Sequence, residues 1–336
     1  MSKSSKVKAV ISSFTLFSLA ANASGGENTP RYTIEGSLPT TIQVKINPNE
    51  INTDLEALTG MKTIQLLKVK PSIEMIKEND VALNNYKINI KMEPSYSTII
   101  PFNQSPGAVD LGMANTPVLD QGKHGTCVTF ASTAALNARL KVGDYIDQQC
   151  SLALNKYLGN DYWNGAYTAE QILDPLKTYG IIPKDQCFGS TYADTDQEVS
   201  PDQYSDKSDT SFASQMDWTY VSSRDINAVK AALKNGNRVA IGTLLSTADN
   251  TGVRGFSFTI NGKKTSGGLW ACDQPGSKNY CGRSNAGHEV VIIGFDDSQK
   301  LFKIRNSWSS KVGDSGDYYM TYNFFNTMEM DHTEIK

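Results

Sequence analysis

The stretch "DQGKHGTCVTFAS", Asp120 to Ser132, decides how the rest of the chain is read. A Gln, two glycines, a His and a Cys come just before a helical period carried by Ala131, Leu136 and Leu140, with Gly143 as the stop. A cysteine on the first turn of a helix lies in the partial positive charge of the helix N-terminus. That charge favours the thiolate by about 0.3–1 kcal/mol. A buried cysteine is equally a small core hydrophobe. The choice between the two readings of Cys127 depends on whether the chain also supplies a base, an orienting group and an oxyanion donor.

Working outward, the chain has three histidines, His124, His288 and His332. His124 sits on the turn that delivers the sulfur and reads as structural. His332 lies four residues from the chain end, where order is expected to be poor. His288 opens the apolar run "HEVVIIGF", a strand able to hold an imidazole in place. Asn306 follows the strand "FKIR", and its amide oxygen suits the imidazole nitrogen that faces away from sulfur. Trp308 would cover that bond. The side-chain amide of Gln121, with the Cys127 N–H, suits an oxyanion hole.

The whole chain narrows the class. With 32 basic and 35 acidic residues in 336, the net charge of −3 argues against nucleic acid, and no basic run suggests a membrane patch. Residues 1–23 read as a signal peptide: Lys3, Lys6 and Lys8, then apolar Ala9–Ala20, then Ala21-Asn22-Ala23. About 12 apolar residues are too few to span a bilayer. The expected product is secreted, extracellular and monomeric. Export makes disulfides expected, and five cysteines leave at least one unpaired. Sequence does not choose among the pairings. A local Cys272–Cys281 bridge in a Gly/Pro/Ser-rich loop is the simplest, which pairs Cys150 with Cys187 and leaves Cys127 as the odd thiol. No metal site or cofactor is expected, because no other ligand cluster completes a His124/Cys127 pair.

Residues 24–105 read as a separate, strand-rich region. "TTIQVKIN" and "YKINIKM" alternate (Ile42, Val44, Ile46; Ile88, Ile90, Met92), "MKTIQLLKVK" is a third strand, and "PSIEMIKEND" is a short helix opened by Pro71. "STIIPFNQSPG" reads as an extended linker. Beyond it, "TAEQILDPLKTYG" predicts a helix with capping-box spacing at Thr168 and Gln171, kinked or broken at Pro175. "STYADTDQEVSPDQYSDKSDTS" reads as a long surface loop, and "SSRDINAVKAALKNGN" as a helix with a Ser cap. "RVAIGTLL", "FSFTI", "EVVIIGF", "LFKIRNSW" and "GDYYMTY" are strands. Helices first and strands second give an α+β fold with segregated halves and a cleft between them.

The blocks "PVLDQGKHGTCVTFAS", "GHEVVIIGF" and "FKIRNSWSSKVGDSGDYYM" resemble, in order, the cysteine, histidine and asparagine blocks of the papain-like (cathepsin-type, C1 family) cysteine peptidases. The resemblance covers about Ala108 to Met320. It implies a two-lobed fold with a helical N-terminal lobe and an antiparallel β C-terminal lobe. It also implies Cys127 as nucleophile, His288 as base and then acid, Asn306 as orienter and Gln121 as oxyanion donor. There are departures. The family's Cys-Gly-Ser-Cys-Trp run is here His124-Gly125-Thr126-Cys127-Val128, and its Cys-Asn-Gly-Gly run is Trp163-Asn164-Gly165-Ala166, so one disulfide is missing at both ends. Gly165 and Ala166 take the place of the backbone that pairs with substrate, with a methyl that narrows the cleft.

The expectation is therefore a secreted thiol endopeptidase made as a zymogen, acting on a peptide or protein substrate through a thioester acyl-enzyme. It has a signal at 1–23, a propeptide at 24–105 that acts as its own intramolecular inhibitor, and a peptidase domain at 106–336. The prosegment lacks the family's usual helical pattern, and is expected to lie across the cleft and pair as a strand with its edge. The alternatives are an inactive peptidase scaffold that binds, or an acyltransferase using the same thioester.

Overall fold

The computed structural model describes residues 30–45, 59–89, 96–187, 198–248, 252–253, 255–272, 281–282 and 284–336. The expected signal peptide lies outside them, as do Ile46, Ile90 and Met92. From Arg31 onward the described chain forms one compact unit.

The strands are β1 (Tyr32–Gln43), β2 (Met61–Pro71), β3 (Val109–Asp110), β4 (Trp218–Val221), β5 (Arg238–Leu244), β6 (Thr247–Ala248), β7 (Gly252–Val253), β8 (Phe256–Ile260), β9 (Lys263–Trp270), β10 (Ala286–Asp296), β11 (Leu301–Arg305), β12 (Asp317–Thr321) and β13 (Glu329–Ile335). The α-helices are α1 (Ile73–Asn89), α2 (Cys127–Leu140), α3 (Gln148–Tyr157), α4 (Glu170–Tyr179), α5 (Pro201–Ser205), α6 (Ile226–Lys234) and α7 (Tyr322–Met328). The fold is α+β and two-lobed. Helices α2 to α5 make one lobe. The other is a mixed sheet in the order β4-β13-β5-β10-β11-β12-β9-β8, in which β12 and β9 run parallel.

Two elements position the site. Helix α2 is buried from Cys127 to Ala138 and packs on β10 and β5. It is rich in alanine and small residues, so its axis can approach the sheet closely. Strand β10 is buried along its whole length, and its apolar run over residues 290–295 is the pattern of a strand covered on both faces. Each fully buried Val or Ile there stabilises by about 1.5–3 kcal/mol.

The N-terminal hairpin joins the same sheet. β1 and β2 pair antiparallel, and β2 then pairs with β10 at Lys68↔Ala286 and Leu67↔Gly287. The register of β1 slips between Ile34 and Ser37, where Gly36 adopts φ 129° and takes up the extra residue. Opposite this bulge the buried positions of β2 change phase, from Lys62, Ile64 and Leu66 to Leu67 and Val69.

Several local expectations are corrected. Tyr86 to Asn89 of the supposed strand "YKINIKM" end helix α1, which is longer than expected and begins after Pro71. Ser72 Oγ accepts from the Met75 N–H at 3.1 Å. The "linker" is packed: Ile99 N–H donates to Thr259 O at 2.9 Å, and Ile99 and Phe102 are buried against β8 and β9. Pro175 leaves α4 continuous. At the start of that helix Thr168 makes no cap. Gln171 Oε1 accepts instead from the N–H groups of Tyr167 (2.6 Å) and Thr168 (3.4 Å). The cap of α6 is Asp225, which accepts from Asn227 and Ala228, and not a serine. The polar stretch after Cys187 is more than loop, since Ser200 and Gln203 close a capping box on α5 and Tyr204 is fully buried. His332 is buried in β13, its Nδ1 2.8 Å from Glu329 Oε1.

Candidate active site

Cys127 is the first residue of α2, after Thr126, whose side chain makes no cap bond. The loop before it is pinned to the segment after β11: Gln121 N–H donates to Ser307 O at 2.9 Å and Ser309 N–H to Leu119 O at 3.3 Å. Gly122 turns this loop at φ 64°. The Gln121 amide is held at both ends. Its Nε2 donates to His124 O and its Oε1 accepts from Ser307 Oγ, both at 2.8 Å.

His288 stands in β10 opposite Thr243. Its Nε2 lies 2.8 Å from Asn306 Oδ1. The same oxygen accepts the Ser307 N–H at 2.7 Å, which fixes the amide orientation. Because Oδ1 can only accept, the proton of the neutral imidazole sits on Nε2 and Nδ1 keeps its lone pair. That Nδ1 is buried and has no hydrogen-bond partner. Trp308 stacks on the ring with centroids 4.3 Å apart and planes at 22°, and is itself fully buried.

The thiol of Cys127 takes a hydrogen bond from the backbone N–H of Glu289, the residue after His288. Sulfur and imidazole are therefore brought to one place by α2 and β10. Both are closed off from water: Cys127 is 0% and His288 1% exposed. Burial pushes the thiol up to about 12, with the Glu289 carboxylate adding to it, and burial lowers the imidazole to about 4, against a smaller upward pull from Asn306. Buried in this way the pair is thiol and neutral imidazole.

Gly165, at φ 62°, and Ala166 are buried beside this loop. The two positions where the resemblance places a disulfide carry His124 and Trp163, whose rings stack with centroids 3.7 Å apart at 22°. The chain's bridges are Cys150–Cys187 and Cys272–Cys281, and Cys127 is a free thiol. Among the described residues no cluster of three or more potential ligands could hold a metal, and no helix is long and apolar enough to cross a membrane.

Sequence reasoning missed Ser307, which clamps Gln121, and the acidic group formed by Glu289, Asp331 and Glu170, of which Glu289 acts on the thiol. One signal for it was visible: Glu289 is the lone carboxylate in the run "HEVVIIGF". The others come from β13 and α4, and only the fold brings them in.

Comparison with known proteins places this arrangement in a class. The fold matches xylellain, a cysteine protease from Xylella fastidiosa, with a TM-score of 0.50 and 22% identity over 73% of this chain and 92% of that one. It also matches digestive procathepsin L 3 of Tenebrio molitor larval midgut, with a TM-score of 0.50 and 18% identity over 78% of this chain and 90% of the other. The fold is the papain-like one of these two structures. Residues 115–334 match the Peptidase_C39 like family, and the chain belongs to it. Among curated sequences it is similar to cysteine proteinase 2 of Entamoeba histolytica, 26% identical over 224 residues, 63% of this chain and 62% of that protein. It is also similar to gamete and mating-type specific protein A of Dictyostelium discoideum, 27% identical over 62% of this chain and 41% of that protein. The chain thus spans less than two thirds of the length of these relatives.

Proposed function

We propose that this chain is an exported, papain-like thiol endopeptidase made as a zymogen, with Cys127, His288 and Asn306 as its triad. The observation that carries the reading is the His288 ring. Its Nε2–H is tied to Asn306, its Nδ1 lone pair is buried without a partner, and the next residue, Glu289, gives its N–H to the chain's one free thiol. A merely structural histidine would have both nitrogens satisfied.

In the reaction, Nδ1 takes the proton of the Cys127 thiol as sulfur bonds to the scissile carbonyl carbon. The oxyanion is held by the Cys127 N–H and by the second N–H of the Gln121 amide, whose first is spent on His124 O. Collapse breaks the C–N bond, and Nδ1–H gives its proton to the departing amine. Water then adds to the thioester with His288 again as base, releasing the acid and the thiol. Asn306 is a positioning residue that keeps the Nε2 tautomer.

Residues 24–105 act as the inhibitory prosegment. Hairpin β1–β2 reaches both sides of the cleft. Lys62 pairs with Asp120, beside Gln121, the Tyr32 hydroxyl is 3.3 Å from Tyr167 O, beside Ala166, and Val69 N–H donates to Asn285 O at 2.7 Å. A substrate cannot approach sulfur while the hairpin stays. Its withdrawal hydrates both groups and relieves the burial that holds thiol and imidazole neutral.

An epoxide thiol inhibitor tests the reading. It should label the proteolytically trimmed protein once, on Cys127, and not label His288→Ala. Equal peptide hydrolysis by full-length and trimmed protein would remove the zymogen, and failure of the trimmed protein to label would remove the peptidase.

A further inference from the structure

Three neighbouring strands bring two acidic side chains to one spot. In the sheet Glu289 of β10 is opposite Gly242 of β5, and Gly242 is opposite Asp331 of β13. Gly242 is the gap between them: a Cβ there would lie 2.7 Å from Asp331 Oδ1 and 3.2 Å from Glu289 Oε2. Glu170, at the start of α4, adds a third carboxylate to the field on both.

The basic side chains nearby are committed elsewhere. Arg224 pairs with Glu329, His332 with Glu329, and Arg31 with Glu78. Glu170 accepts from Thr333 at 2.6 Å. Glu289 is only 4% exposed, and its carboxylate has no hydrogen-bond or ion-pair partner among the described residues. Burial, and then the neighbouring Asp331 and Glu170, push its carboxyl well above the usual range. Burial lifts that of Asp331 to about 7, with Glu329 and Glu170 adding to it and the Tyr32 bond opposing. An unpaired carboxylate in such a place costs several kcal/mol unless a cation or a proton meets it.

What occupies the place in the closed form is the hairpin. Tyr32, on β1, donates its phenol hydrogen to Asp331 Oδ2, and Tyr220 reaches the same oxygen at 3.4 Å. The Tyr32 hydroxyl also lies 3.3 Å from Tyr167 O, next to Ala166, where the resemblance places the backbone that pairs with substrate. A phenol is about as long as a lysine side chain but brings one hydrogen-bond donor and no charge. It fills the pocket without neutralising it.

Resting on the thiol-peptidase reading, we propose that Asp331, Gly242 and Glu289 form the floor of a selectivity pocket for a cationic side chain, lysine or arginine, of the peptide substrate, and that Tyr32 holds this pocket until the hairpin withdraws. A long aliphatic stem matches the reach of the Tyr32 phenol to Asp331, and its charged head supplies the partner Glu289 lacks. The neutral phenol holds the pocket less strongly than a cation does, so the inhibitor gives way to a basic substrate.

The test uses the full-length chain nicked by a metallopeptidase. It compares two peptidyl epoxide probes that differ only in lysine against norleucine at the residue next to the warhead. The rate ratio on Cys127 is read for wild type, Glu289→Gln and Asp331→Asn. Because it compares two probes on one protein, a loss of folded fraction cancels. Wild type should react at least tenfold faster with the lysine probe, and each substitution should bring the ratio towards one. Equal rates in wild type, or an unchanged ratio in both variants, overturn the pocket. If neither probe reacts while iodoacetamide does, the peptidase reading fails and the pocket falls with it. On the intact chain Tyr32→Phe should raise labelling by the lysine probe, and no rise would overturn the part assigned to Tyr32.

Discussion

Leu67 of the N-terminal hairpin sits directly opposite Gly287, the residue before His288. The pairing is close because Gly287 has no side chain: a Cβ there would lie 2.5 Å from Val69 Cγ2 and 3.5 Å from Leu67 Cβ. The strand that carries the proposed base is thereby the strand that docks the hairpin, the contact on which the proposed inhibition rests.

Gly287→Ala should loosen the hairpin. Overpacking of this kind costs about 1–3 kcal/mol, and Val69 is β-branched and cannot swing clear. The full-length variant should be alkylated at Cys127 several-fold faster than wild type under native conditions. Followed by intact mass, an unchanged rate would show that the close approach does not hold the hairpin.

Asn306→Ala removes one oxygen that serves two donors, His288 Nε2–H and the Ser307 N–H. Each donor left unmet while buried costs about 1–3 kcal/mol. Both kcat and thermal stability of the activated protein should fall, kcat by tenfold or more, with KM little changed. A fall in stability alone would make Asn306 structural.

Stability should depend on pH through His288. Its folded value, about 4, lies below its ordinary 6.5. Between these values the unfolded chain takes a proton the folded chain refuses, so stability is full above about 6.5 and is lost as pH falls towards 4, on the order of 3 kcal/mol. Asp331, raised to about 7, works the other way and loses stability as pH rises from about 4 to 7. Denaturation of His288→Gln at pH 7.5 and 4.5 should lack the acid loss seen in wild type, and Asp331→Asn should deepen it. Parallel curves for all three proteins would contradict both shifts.

The His124–Trp163 stack fills the two positions of the missing disulfide. Trp163→Ala should destabilise by about 0.5–1.5 kcal/mol beyond the lost burial. It should also slow catalysis, because the His124 carbonyl holds the Gln121 amide. Melting temperature and kcat/KM check both, and a change in neither would leave the stack without a role.

Much of this was legible beforehand. The apolar run after His288 became β10, "FKIR" became the strand before Asn306, and Cys127 opened a helix, because each carries its own period and boundary residues. "YKINIKM" was misread because its alternation is short and Tyr86–Asn89 complete the helix begun after Ser72. The cap of α6 was misplaced by two residues, since Ser and Asp compete as caps and only backbone geometry chooses. Polar composition hid Tyr204 and the capped turn in the stretch after Cys187.

By itself the sequence determined the α+β order of elements and the residues able to do thiol chemistry, since periodicity and residue type are local properties. Only the tertiary structure decided that Leu67 would border Gly287, that Ser307 would clamp Gln121, and that Glu289 and Asp331 would meet across Gly242. Those contacts join residues far apart in the chain, and strand register and helix packing set the distances between them.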